Sequence, residues 1–335
     1  RRGLGTAKEH GDCGTGDGPR AGRLPVPAPA RERMQTMKRA YPILLAILLV
    51  PAIALGGRRE RVVEKSFDID NGDRVKISLK IGGDIRVEGG ASRKVEAVLR
   101  ITGRDREDVE IDFDEGRRGV EIEVKGGGWF HRVDADAEIV LRVPREIDVE
   151  CHSCGGDILI SGIEGRLTGK TLGGDMDFSD ITGTIRMTTY GGDIDVVDSR
   201  VDGKVKSLGG DVRIERVAGD ISGSTFGGNV TRHAVRERDR DRDEVRDRDE
   251  RRRARRRDDD DTDEVSITSM GGDLSFDEPG RDVRLKTMGG DIDVGRAEKV
   301  NVMTMGGDIE IDEAPVGASV TTMGGDIEAV SYTHL

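Results

Sequence analysis

Apolar and polar residues alternate with a period of two through most of this chain, which is the signature of half-buried β-strands. Phe67–Asp70, Val75–Ile81, Ile85–Val87 and Val95–Ile101 each follow it. Val109–Phe113 and Val120–Val124 flank Asp114-Glu-Gly-Arg-Arg-Gly119 and predict a hairpin, and Ala137–Val143 predicts a further strand ended by Pro144. From Cys151 onward a longer beat is superimposed. The phrase Gly-Gly-Asp plus an aliphatic residue begins at Gly155 and returns at Gly173, Gly191 and Gly209, then as Gly-Gly-Asn at Gly227, in steps of eighteen. It resumes at Gly271, Gly289, Gly306 and Gly324, with steps of eighteen, seventeen and eighteen.

Aligned on that phrase, the repeats form columns. Two residues before each Gly pair stands Ser or Thr: Ser153, Thr171, Thr189, Ser207, Thr225, Ser269, Thr287, Thr304 and Thr322. The next residue is usually bulky, from Leu172 and Tyr190 to Met305 and Met323. Aliphatic or aromatic residues follow the Asp at the first and third positions, as in Ile158 and Ile160 or Met176 and Phe178, with charged residues between them at most levels. Ile267, Leu285, Val302 and Val320 mark a second strand before the Gly pair. Each repeat is therefore strand, turn, strand, turn. The pattern predicts an all-β fold, a β-solenoid (β-helix) of about 18-residue coils, with a β-rich N-terminal capping module before it. Nine coils rising about 4.8 Å each would make a rod of roughly 40 Å. An early Gly82-Gly83-Asp84 has Ile77 and Leu79 at odd offsets where later repeats have even ones, so it is assigned to the capping module and not to a regular coil.

Seven segments follow. Residues 1–33, rich in Gly, Pro and Arg and without periodicity, read as a non-native or disordered leader. In 34–56, Met37-Lys38-Arg39 leads into an apolar run to Leu55, the pattern of a secretory signal peptide cleaved after Ala54 or Gly56. The run is shorter than the roughly 20 residues of a spanning helix, and the alternative is an uncleaved anchor, the chain's one expected tie to a membrane. Residues 58–150 form the capping module, 151–230 and 265–329 the coils, and 330–335 an irregular end. Between the two sets of coils, 231–264 carries runs such as Arg251-Arg-Arg-Ala-Arg-Arg-Arg257 and Asp258–Asp261; almost devoid of apolar residues, it predicts a charged insertion that is disordered or a fluctuating single helix.

Composition sharpens this picture. Aromatic residues make up 3% of the chain against 48 Gly, which suits a narrow aliphatic core with many turns. A net charge of -12 excludes nucleic acid as a partner of the chain as a whole, because phosphate binding needs clustered cations.

Candidate chemistry is sparse. Stacking would bring the Asp column (Asp157, Asp175, Asp193, Asp211, Asp273, Asp291, Asp308, Asp326) within about 5 Å from level to level. Either each Asp caps the amides of its own Gly-Gly turn, which Asn229 in the same column favours, or the column binds calcium through carboxylates and turn carbonyls. Cys151-His152-Ser153-Cys154 has the spacing of redox and zinc motifs but lacks a second ligand pair, and reads as two packed thiols filling column positions. The Ser/Thr column shares the parity of the apolar residues, which predicts an internal hydroxyl ladder and not an exposed face. Five His residues are scattered, with no nucleophile or carboxylate gathered around them. No catalytic, cofactor-binding or metal-ligating residue is assigned, and no cofactor.

From Phe67 through the strand ending Leu141-Arg-Val-Pro144 and into the Gly-Gly-Asp-Ile units, the chain resembles the bacterial putative-adhesin family of extracytoplasmic β-solenoids. The resemblance covers about residues 60–329 apart from the insertion, and it transfers no catalytic residue. It implies an exported, non-enzymatic binding or scaffold protein of the cell envelope or surface, in the periplasm, on the cell surface or secreted, whose partner is an envelope or surface polymer or protein. The competing reading is a carbohydrate-active β-helix enzyme acting on envelope or extracellular polysaccharide. Such an enzyme would gather its acids at a few levels, whereas here they spread over all coils.

Overall fold

The computed structural model describes residues 60–330 apart from 71, 117, 127–132 and 234–263. The expected leader, signal segment and final 331–335 lie outside the described residues, as does most of the charged insertion. Strand β17 (Val230–His233) extends three residues past the expected start of that insertion, and β18 (Glu264–Thr268) begins at its last residue.

Two long sheets, of thirteen and twelve strands, account for all the described strands. The coils alternate between them. In one sheet run β9 (Ile158–Ser161), β11 (Met176–Ser179), β13 (Ile194–Val197), β15 (Val212–Glu215), β17, β19 (Leu274–Asp277), β21 (Ile292–Arg296), β23 (Ile309–Glu313) and β25 (Ile327–Ala329). In the other run β8 (Asp148–Ser153), β10 (Glu164–Thr171), β12 (Thr182–Thr189), β14 (Arg200–Lys206), β16 (Ile221–Ser224), β18, β20 (Asp282–Lys286), β22 (Lys299–Met303) and β24 (Gly317–Thr321). All these neighbours pair in parallel, one level of the solenoid on the next: Met176 lies opposite Ile158 and Ile194, and Leu167 opposite Val149 and Ile185. Alternation puts Ile158, Ile160, Met176 and Phe178 in the core with Leu167, Ile185 and Met187, and their neighbours outside. The seventeen-residue step is absorbed between β21 and β22, where the register changes while both ladders stay in phase.

The N-terminal module is β-rich, as expected, and closes one end of both sheets. Strands β2 (Arg74–Leu79) and β3 (Gly82–Gly90) stack directly on β8 and β9 in parallel register. Against the expectation from parity, Gly82-Gly83-Asp84 therefore belongs to a coil. Leu79 pairs with Ser153 and Ile85 with Ile158, so this corner holds one residue more than the corners above it, and that residue shifts the offset. The next level is formed by β6 (Gly119–Lys125) and β7 (Ala135–Pro144), parallel to β2 and β3 although later in sequence. Antiparallel β5 (Glu110–Gly116) and β4 (Lys94–Gly103), with β1 (Arg61–Asp68) beyond β4, then complete the end. β5 and β6 are the predicted hairpin.

Candidate binding face

The Gly-Gly-Asp corner is built by hydrogen bonds between levels. The buried Thr171 hydroxyl donates to Gly156 O of the preceding level at 3.2 Å and accepts the Gly174 N–H of its own turn at 3.5 Å. Thr189, Ser207, Thr225, Ser269, Thr287 and Thr304 repeat both contacts. The internal hydroxyl ladder is thus present, and it supplies the cap of each turn. The Asp side chains do something else: Asp175 N–H donates to Asp157 Oδ1 at 2.9 Å, Asp193 N–H to Asp175 Oδ1, and so on through Asp326 N–H to Asp308 Oδ1. This corrects the expectation that each Asp caps its own turn. Asn229 takes part through its amide oxygen, accepting from Asp273 N–H at 2.8 Å, so the contact needs an acceptor and not a charge. The ladder starts at Asp84, which accepts from Asp157 N–H. The two glycines also differ. A Cβ on Gly173 would meet nothing within 4 Å, whereas one on Gly174 would lie 1.8 Å from Gly156 O.

With Thr turned inward, the residue after it must point outward. Leu172, Tyr190, Leu208, Phe226, Met270, Met288, Met305 and Met323 accordingly form an apolar ridge along the corner, 42% to 76% exposed. Sequence reasoning recognised this bulky column without assigning it a side, yet the parity of the Thr column already fixed one. Beside the ridge, the outer surface of the twelve-stranded sheet is basic and hydroxylated. Its two nearest columns read Thr168, Arg186, Lys204, Ser222 and Lys170, Thr188, Lys206, Ser224 over β10–β16. Lys170, Arg186, Lys204 and Lys206 form no ion pair among the described residues.

The thirteen-stranded sheet carries the opposite sign. Asp177 lies opposite Asp195, and Asp293 opposite Glu310. Partial burial, reinforced by neighbouring carboxylates, holds Asp177 and Asp293 above the usual carboxylate range. Burial does the same at Asp195, with Arg213 pulling the other way. The two sheet faces therefore differ in sign beside the ridge, with the Asp ladder on the thirteen-stranded side of the Gly pair.

Of the thiols, Cys151 is fully buried opposite Ile77 and Gly169, where desolvation pushes it far above the ordinary thiol range. Cys154 differs from expectation: it is half-buried on the corner, at the level position that Leu172 occupies one coil later. His152 lies 3.1 Å from Glu150 on the outer surface. Among the described residues no group of three or more His, Cys, Asp or Glu converges as a metal site would.

One buried charge escaped sequence reasoning. Arg232 occupies the inward position that Ile214 and Phe276 hold in adjacent levels. Its guanidinium donates to Ile221 O at 2.6 Å and Gly219 O at 3.2 Å, and its Nε lies 3.0 Å from Glu278 Oε2 without aligning as a hydrogen bond. Arg281 bridges Glu278 and Asp220. The signal was available: Arg at an apolar column position, with Gly223 in the facing strand at the position of Val205.

Comparison with protein families gives one match, Toastrack DUF4097, over residues 62–334. The chain belongs to this family. The family name gives no ligand. No curated protein matches the sequence. Solved structures with a similar course include one described as a putative adhesin from Parabacteroides merdae, 14% identical with a TM-score of 0.37, covering 82% of this chain and 97% of that one. Another so described, from Bacteroides fragilis, is 13% identical with a TM-score of 0.35, covering 81% and 97%. A putative cell adhesion protein from Clostridium sporogenes is 9% identical with a TM-score of 0.26, covering 82% and 100%. At these TM-scores the likeness carries no conclusion about what this Toastrack chain binds.

Proposed function

We propose that this Toastrack chain is an exported, non-enzymatic binding or scaffold rod of the cell envelope or surface, adhesin-like in role, whose partner is an envelope or surface polymer or protein. The observation that carries the reading is the continuous apolar ridge beside a basic, hydroxyl-rich sheet face. Exposed apolar groups in a row mark interaction surfaces, and repetition at every level suits an extended partner better than a small molecule in a pocket. The basic segment Met37–Arg39 and the apolar run after it support an extracytoplasmic location. Acids spread evenly along the coils, with hydrogen bonds already spanning levels, support a structural ladder over an acid–base pair. The test is binding of the purified chain to isolated envelope fractions and a glycan array, with and without EDTA. Retention without turnover is expected. Cleavage of a glycan would replace this reading with the carbohydrate-active one, and loss of binding or of thermal stability in EDTA would put calcium on the Asp ladder.

A further inference from the structure

We infer that the outer face of β10, β12 and β14, together with the adjoining ridge, docks on an anionic lipid surface. This rests on the envelope-binding reading above and names the partner within it. Three successive levels bring two chemistries side by side. Lys170, Arg186, Lys204 and Lys206 occupy the two outward columns nearest the corner, with Thr168 and Thr188 as their only companions there. Immediately beyond lie Leu172, Tyr190 and Leu208, each more than two-fifths exposed. On this sheet the carboxylates of these levels stand further from the ridge and are engaged: Asp202 accepts the Asp220 N–H, and Glu164 pairs with Arg145. Across the Gly pair, on the other side of the ridge, Asp175, Asp193 and Asp211 each give Oδ1 to the N–H of the next level. Four unpaired cations on a chain of net charge -12 select an anionic partner.

The apolar groups decide which kind. A soluble anionic polymer would satisfy the cations and leave Leu172, Tyr190 and Leu208 in water. A second copy meeting this face with its own would set cation against cation. A bilayer offers phosphates at the level of the ammonium and guanidinium groups and, a few ångströms deeper, the apolar boundary in which leucine and tyrosine side chains settle. The flexible Lys stems let the charged heads remain among the headgroups while the ridge enters.

The test uses the full chain with the reporter placed at the ridge, so that the apolar run before Leu55 cannot supply the signal. Tyr190→Trp in a Trp129→Phe background is titrated with phosphatidylcholine vesicles containing 30% phosphatidylglycerol, an amount chosen for the assay, and with pure phosphatidylcholine vesicles. Ser275→Trp on the opposite sheet serves as control. A blue shift at position 190 with anionic vesicles only, abolished by high salt, is expected. Lys170→Gln/Lys204→Gln/Lys206→Gln should bind about 150-fold more weakly, since each of the three cations contributes about 1 kcal/mol near an anionic surface. Leu172→Ser/Leu208→Ser should also weaken binding, with both variants checked for unchanged far-UV circular dichroism. Three results would overturn the inference: no shift at position 190, an equal shift at position 275, or inorganic polyphosphate displacing the vesicles while the serine variant binds both unchanged. Failure here with envelope fractions still bound would remove the lipid partner alone. Loss of envelope binding as well would remove the wider reading.

Discussion

Replacing Gly174 by alanine should damage the solenoid far more than the same change one residue earlier. The Cβ of residue 174 would lie 1.8 Å from Gly156 O, 2.1 Å from its carbonyl carbon and 2.7 Å from Asp157 N. An ordinary contact needs about 3.4 Å or more, so the two levels must part by over an ångström at this corner. Three bonds cross the same gap: Thr171 Oγ1 to Gly156 O, Asp175 N–H to Asp157 Oδ1 at 2.9 Å, and Ile158 N–H to Asp175 O at 2.8 Å. At about 1 kcal/mol each, with buried groups left unpaired, Gly174→Ala should cost about 3–4 kcal/mol. Gly173→Ala meets nothing and Gly173 has no left-handed backbone, so it should be neutral or stabilise by up to about 1 kcal/mol through the unfolded chain. Urea unfolding followed by far-UV circular dichroism should show the midpoint of Gly174→Ala lowered by about 1–2 M. Equal midpoints for the two variants would refute the claim that clearance between levels, and not turn conformation, selects the second glycine.

Other predictions concern the ladder, the buried charge and the acidic face. Asp193→Asn should leave thermal stability unchanged, because the amide oxygen still accepts from Asp211 N–H, while Asp193→Ala should cost about 1–2 kcal/mol in chemical denaturation. Arg232→Met should lower stability by about 3 kcal/mol by leaving Glu278 buried with only Arg281, 3.7 Å away and shared with Asp220, as countercharge, and Glu278→Gln in the same chain should restore part of it. Asp177 and Asp195 have folded-state pKa values above their unfolded ones, so the folded state holds more protons and stability falls as pH rises through the interval between them. Asp177→Asn/Asp195→Asn should therefore melt higher than the parent at pH 7, with the difference vanishing in scans below the unfolded carboxylate range.

The period alone located the coils, the inward columns and the Thr ladder, because a repeated offset turns each of these into many concordant observations. What escaped was whatever depended on contacts between levels. Asp and Thr both suit a tight turn, and nothing within one repeat shows that Thr171 serves its own turn while Asp157 serves the next. The stacking of Gly82-Gly83-Asp84 was obscured by one extra corner residue, since a fixed offset cannot distinguish a shifted strand from a longer turn. Arg232 was hidden differently. A single charged residue in an apolar column resembles a break in the pattern until Gly223 and Glu278 are seen to make room and supply countercharge. The face near the ridge was legible in principle, for its residues are those of opposite parity to the core, but their sign emerges only when neighbouring levels are set side by side.

The side-chain bonds that join coils at the Gly-Gly-Asp corner all point one way, while backbone bonds such as Ile158 N–H to Asp175 O run the other. In both the Thr and the Asp series the donor belongs to the later coil and the acceptor to the earlier one. A finished level therefore presents carbonyl and carboxylate oxygens already in place, and the next stretch of chain brings the N–H and O–H groups that fill them. Growth from the amino-terminal end follows this direction, each coil serving as the template for its successor. A chain emerging amino terminus first could accordingly fold level by level behind the point of emergence, each new coil also supplying the carbonyls, such as Asp175 O for Ile158 N–H, that complete the coil before it.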